Sequence, residues 1–154
     1  MVKLISGRAT RMPTPPHPHD DEIETLDRLI IAMLRLRFHL DTTAAGIGLS
    51  APQAHALLRL GEPLRLGEIA GQMHCEPSHI TGIADALEQR GLAVRQPDPA
   101  DRRAKQLIAT LEGHELRRKF IAGLLQDMPV LSPLNPADRA TLLTLLRTAD
   151  TTIP

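Results

Sequence analysis

The stretch LGEIAGQMHCEPSHITGIADALEQRGLAVRQPDPADRRAKQLIATLEG, residues 66–113, decides the fold. Ile69 and Ala70 open a short apolar helix, and His74-Cys75-Glu76 forms a tight break after it. Pro77 has no N–H to lose in a first helical turn, so a second helix starts there; it runs to Arg90 and stops at Gly91. Two strand-like runs follow, Leu92-Ala93-Val94-Arg95-Gln96 and Lys105-Gln106-Leu107-Ile108-Ala109. The loop Asp98-Pro99-Ala100-Asp101-Arg102-Arg103 joins them. A helix pair with a sharp turn, followed by a hairpin, predicts a winged helix-turn-helix: mainly α, with a small β-hairpin wing.

That outline predicts sequence-directed binding to double-stranded DNA. The first helix braces the second, which lies in the major groove with its N-terminal residues near base edges. Ser78, His79 and Thr81 fall on the exposed side of the second helix, whereas Ile80, Ile83, Ala84 and Leu87 form its buried side. Arg102 and Arg103 at the hairpin tip suit a phosphate backbone or a narrow, electronegative minor groove. Arg95, on the first strand, is grouped with them as a DNA contact, and Asp98 or Asp101 can pair with a wing arginine and hold the loop in shape. Blander readings stand beside these. Ser78 after a proline also serves as a helix-cap residue, and two arginines in a turn also make an ordinary solvated corner.

With 154 residues, 42% of them apolar, the chain is long enough to bury one core without disulfides or metals. Tyr and Trp are absent and Phe occurs twice, so aliphatic side chains must fill that core, which favours helices. Formal net charge is zero, yet residues 90–105 carry five basic side chains (Arg90, Arg95, Arg102, Arg103, Lys105) against two acidic ones (Asp98, Asp101). Residues 1–19, rich in proline, read as a flexible basic arm. Residues 20–48 carry a long helix with Ile23, Leu26, Ile30, Met33, Leu34 and Leu40 in helical period, ended by Gly46 and Gly48. Residues 49–110 hold the DNA-binding domain, in which Ser50 caps a helix bearing Leu57, Leu58 and Leu60. Residues 111–154 hold two more helices, one capped by Thr110 and running to about 128, and one started by Asn135-Pro136. A module of about 60 residues cannot cover these extra apolar helices, so pairing across a two-fold axis in a homodimer is expected.

Other function classes find little support. No glycine-rich phosphate loop, serine elbow or nucleophile with an evident base occurs, so no enzyme is read here, and no cofactor is called for. His17, His19, Asp20, Asp21 and Glu22 are the one local group of metal-ligand types, on the arm, and no metal site is expected. Cys75, alone, reads as a small buried hydrophobe in a reducing, cytoplasmic setting. No run of about 18 apolar residues or signal peptide is seen, so no membrane association is expected.

Taken together, Ile69-Ala70, Ser78-x-Ile80-Thr81, Asp85-x-Leu87-Glu88-x-x-Gly91-Leu92-x-x-Arg95, Asp98-Pro99-x-Asp101-Arg102-Arg103 and Thr110-x-x-Gly113 resemble the MarR family of bacterial transcription regulators. The likeness covers residues 64–113, and the helical surroundings agree with the family's plan. It implies a two-fold dimer with interlocked terminal helices over a pseudo-palindromic operator, Arg103 in the minor groove, and a repressor released by a small molecule or an oxidant. His39, His55 and Arg59 would lie near an effector crevice if the two leading helices line it. The chain departs from the family at Gly82 and Ala86, where relatives often carry basic residues. Fewer phosphate contacts would flatten the salt dependence of binding. An alternative reading follows: a winged-helix protein–protein interaction module with weak or no DNA binding.

Overall fold

Six helices and one three-stranded antiparallel sheet occupy residues 19–101 and 103–150, the part of the chain that the computed structural model describes. The elements in chain order are α1 (Asp20–Gly46), α2 (Ala51–Arg59), β1 (Leu64–Arg65), α3 (Leu66–Gln72), α4 (Pro77–Gln89), β2 (Ala93–Pro97), β3 (Lys105–Ala109), α5 (Leu111–Leu125) and α6 (Pro136–Asp150). The Pro-rich arm up to residue 18, with His17, and the wing residue Arg102 lie outside the described residues.

Helix ends are set by local chemistry. Ser50 accepts from the Gln53 N–H while the Gln53 side chain accepts from the Ser50 N–H, a reciprocal cap that starts α2. Thr110 Oγ1 accepts from Gly113 N at 3.0 Å and starts α5. Helices α1 and α4 both stop at a glycine in the left-handed region, Gly48 (φ 72°) and Gly91 (φ 69°). In each case the next residue's N–H reaches back to the helix: Leu49 N donates to Ala44 O at 3.0 Å, and Leu92 N to Leu87 O at 2.9 Å. Leu49 and Leu92 are both buried, so each stop also points an apolar side chain into the core. Helix α5 ends at Leu125, short of the predicted 128, because Gln126 takes an extended backbone ahead of Pro129.

The core is aliphatic around one aromatic ring. Phe120, Leu57, Leu60, Ile69, Ile80, Leu87 and Leu107 are its largest fully buried side chains. Ala70 is buried where α3 crosses α4, and Ile83 is only partly covered. The sheet has the order β1-β3-β2, with Leu64 opposite Leu107 and Arg95 also opposite Leu107 on the other side. Two-residue β1 carries no periodicity to read in sequence. It nonetheless ties the start of α3 to the wing hairpin. At the other extreme, α1 exposes Ile23, Leu26, Leu29, Ile30, Met33, Leu34 and Phe38, and α6 exposes Leu143, Leu145 and Leu146.

Candidate nucleic-acid interface and adjoining cleft

Ser78, His79 and Thr81 all sit exposed on the first turns of α4, while Ile80, Ala84 and Leu87 of the same helix are buried. The helical period therefore separates a solvent face rich in small polar groups from a core face. Thr81 Oγ1 returns to Pro77 O at 3.4 Å, a weak local bond that leaves the hydroxyl available to a stronger partner. Ser78 does not cap α4, since the N-cap position belongs to Glu76.

Arg95, expected among the DNA contacts, turns its guanidinium onto α4. Nη1 lies 2.7 Å from Asp85 Oδ1 and also pairs with Glu88 Oε2, and Nη2 donates to Thr81 O at 3.3 Å. The Arg95 backbone N–H donates to Glu88 Oε1 at 2.7 Å. With two carboxylates on it, this cation braces strand β2 against α4. The Asp85-x-x-Glu88 spacing places both carboxylates on one helix face, but nothing local says that Arg95 reaches them.

The wing loop closes on itself. Asp98 N donates to Ala104 O at 3.0 Å, Ala104 N to Asp101 O at 2.9 Å, and Arg103 N to Asp101 Oδ1 at 3.0 Å. Asp101 thus holds the loop through the backbone of Arg103, not through its guanidinium. Among the described residues the Asp98 carboxylate meets Ala100 and Arg65: its Oδ1 accepts Ala100 N at 2.8 Å and its Oδ2 pairs with Arg65 Nε and Nη2, both at 2.6 Å. The Ala100 N–H, then Arg65, holds the Asp98 carboxyl below the usual carboxylate range. Arg65 went unread, because nothing in sequence links residue 65 to residue 98. Among the described residues Arg103 is exposed and has no ion-pair partner.

Behind α4 opens a cleft of about 890 Å³ between α1, α2 and α4. Arg37 and Asp41 come from α1, Gln53 and His55 from α2, Met73 and Cys75 from the α3–α4 turn, and His79, Gly82, Ile83 and Ala86 from α4. His55 Nε2 accepts from Arg59 Nη2 at 3.0 Å, and burial, then the Arg59 charge, pushes the His55 imidazole below its usual range. Of the three residues expected at an effector crevice, His55 lines the cleft with Arg59 beside it. His39 does not: its Nε2 donates to Leu124 O at 3.0 Å, which ties α1 to the end of α5 on another face. Cys75 is partly buried against the core and reaches the cleft wall.

This fold and site agree with what the chain is similar to. Residues 49–105 match the model of the MarR family. The HTH-type transcriptional repressor MdtR of Bacillus subtilis (strain 168) is 38% identical over 68 residues, 44% of this chain and 44% of MdtR, so the chain spans less than half the length of that relative. The structure of the transcriptional repressor CouR bound to a 23-mer DNA duplex is 28% identical, with a TM-score of 0.70 over 88% of this chain and 99% of CouR. CouR from Rhodococcus jostii RHA1 bound to p-coumaroyl-CoA matches 84% of this chain and 92% of its own at 28% identity, with a TM-score of 0.65. The match to the MarR family model lies within the described winged helix-turn-helix, the architecture that these solved structures share with this chain.

Proposed function

We propose that this chain is a cytoplasmic, homodimeric, sequence-specific DNA-binding transcriptional regulator, a repressor that a small-molecule effector releases. The observation that carries the reading is the pairing of exposed Ser78, His79 and Thr81 on α4 with an uncommitted Arg103 on a wing that Arg95 bolts to the same helix. Ser78, His79 and Thr81 read a major groove, Arg103 and its neighbour Arg102 follow the adjacent backbone or minor groove, and Asp98 and Asp101 keep the loop in shape. CouR, with the same architecture, is a DNA-bound repressor in one structure and a ligand-bound one in another, which supports both halves of the proposal.

The dimer is supported by the apolar face of α1 together with α6, where solvent would otherwise meet a stripe of Ile, Leu, Met and Phe. The cleft is the effector's place: its α4 wall includes His79, so an occupant touches the reading helix directly. Such a ligand shifts the equilibrium only by binding the DNA-free arrangement more tightly than the DNA-bound one.

Fluorescence anisotropy with the DNA upstream of the chain's own gene, titrated with salt, tests the reading. Affinity should fall steeply with salt, and Arg103→Ala should weaken it about tenfold, in the range of a lost charged contact. Absence of binding at low salt would instead favour a protein-interaction role, which Gly82 and Ala86 on an otherwise polar helix face motivate.

A further inference from the structure

We propose that Arg65 is a positioning residue for the wing: by occupying the Asp98 carboxylate from strand β1, it leaves the wing arginine free to meet DNA. The inference rests on the wing reading given above and adds a residue to it.

Asp98 is the one buried charged residue among the described residues. It stands at the base of a loop whose exposed cation, Arg103, is five residues away in sequence. A buried carboxylate without a partner is costly and would recruit the nearest cation. In this protein the partner comes from outside the loop. Arg65 ends β1, which pairs with β3 at Gln106, and its Nε and Nη2 both lie 2.6 Å from Asp98 Oδ2. The remaining oxygen, Oδ1, is held by the Ala100 N–H. Both carboxylate oxygens are therefore used, and Arg103 keeps its charge for another molecule.

The same residue also fixes where the wing stands. Arg65 is the N-cap position of α3, where its backbone N–H donates to Glu68 Oε2 at 2.7 Å. One side chain thus spans from the start of the bracing helix to the wing base, while Arg95 spans from β2 to the reading helix. Two separated anchors define an orientation that a single anchor would leave free to rock.

A double-mutant cycle on the full chain tests this, read as DNA affinity across a salt series. Arg65→Ala should weaken binding about tenfold in the wild-type background and less than twofold in an Arg103→Ala background. Arg65→Lys, which keeps the charge and loses the fork, should lie between, and it stands in if Arg65→Ala fails to fold. In the Arg103→Ala background the salt slope should not change on removing Arg65. An equal loss in both backgrounds, with the slope falling by about 0.9 each time, would overturn the assignment and make Arg65 a phosphate contact of its own. If Arg103→Ala alone costs nothing, the wing reading fails and the role of Arg65 falls with it.

Discussion

Arg95 Nη1 on strand β2 lies 2.7 Å from Asp85 Oδ1 on α4, two residues that sequence alone would leave on opposite sides of a glycine stop. Glu88 completes the site from the next turn of the same helix. The three-way pair is half-screened from water, with Arg95 only 20% exposed, so its loss should matter more than that of a surface ion pair. Arg95→Ala should lower stability by about 1–3 kcal/mol, as for a charged hydrogen bond removed from a partly buried site. Urea unfolding measures that. In DNA binding the same variant should lose affinity with no change in salt slope, since this cation neutralises carboxylates and not phosphates.

At Gly113 the backbone of α5 touches the strand connection. A Cβ there would stand 2.0 Å from Leu92 O, the carbonyl that also accepts Thr110 N at 3.1 Å. Backbone cannot yield as a flexible side chain would. Gly113→Ala should therefore destabilise by at least about 2 kcal/mol despite the better helix propensity of alanine. Calorimetric unfolding should show a midpoint several degrees lower.

Gly82 is the opposite case. It sits inside α4, and a Cβ there meets nothing within 4 Å. Gly82→Ala should raise stability by about 1 kcal/mol. Gly82→Lys should add a cation to the exposed face and steepen the salt dependence of DNA binding by about 0.9 per phosphate contacted. An unchanged slope would take this face of α4 away from the duplex.

His55 makes stability depend on pH in a definite direction. Burial and Arg59 depress its folded pKa, so the unfolded chain binds the proton more readily. Stability must then fall as pH drops below the unfolded value of about 6.5, and the loss is complete only below the depressed folded value. His55→Gln should flatten the unfolding profile across that window. An anionic effector seated in the cleft should raise the His55 pKa, a shift that the imidazole proton resonances follow.

Asp98 shifts in the same direction, in a more acid range. Its folded pKa is lowered by the Ala100 N–H, then by Arg65, so the stability it contributes is present above the unfolded carboxylate value near 4 and is lost as pH falls through the lower folded one. Between pH 5 and 8 the wing anchor is therefore fully charged. Asp98→Asn should remove the acid-side dependence and loosen residues 98–104, seen as faster amide exchange at Ala100 and Ala104.

Much of the architecture is legible in the sequence. Glycine stops at 48 and 91, the caps at Ser50 and Thr110, and the buried stripe Ile80-Ala84-Leu87 are local: each depends on residues within about a turn of one another, so sequence spacing carries them. Strand β1 and the partners of Arg95 and Asp98 were not legible in that way. An arginine near a carboxylate-rich helix and an arginine at a wing look alike as letters, and which one is spent on an ion pair depends on distances across 7 to 33 residues of chain. Effector candidates divided for the same reason, with His55 at the cleft and His39 bonded to the end of α5.

What the sequence by itself determined is the set of elements and their order, because helix starts, stops and apolar periods are short-range properties of the backbone. Only the tertiary structure decided which charges are paired inside the protein and which remain exposed, because that allocation follows from desolvation and from contact geometry between distant segments.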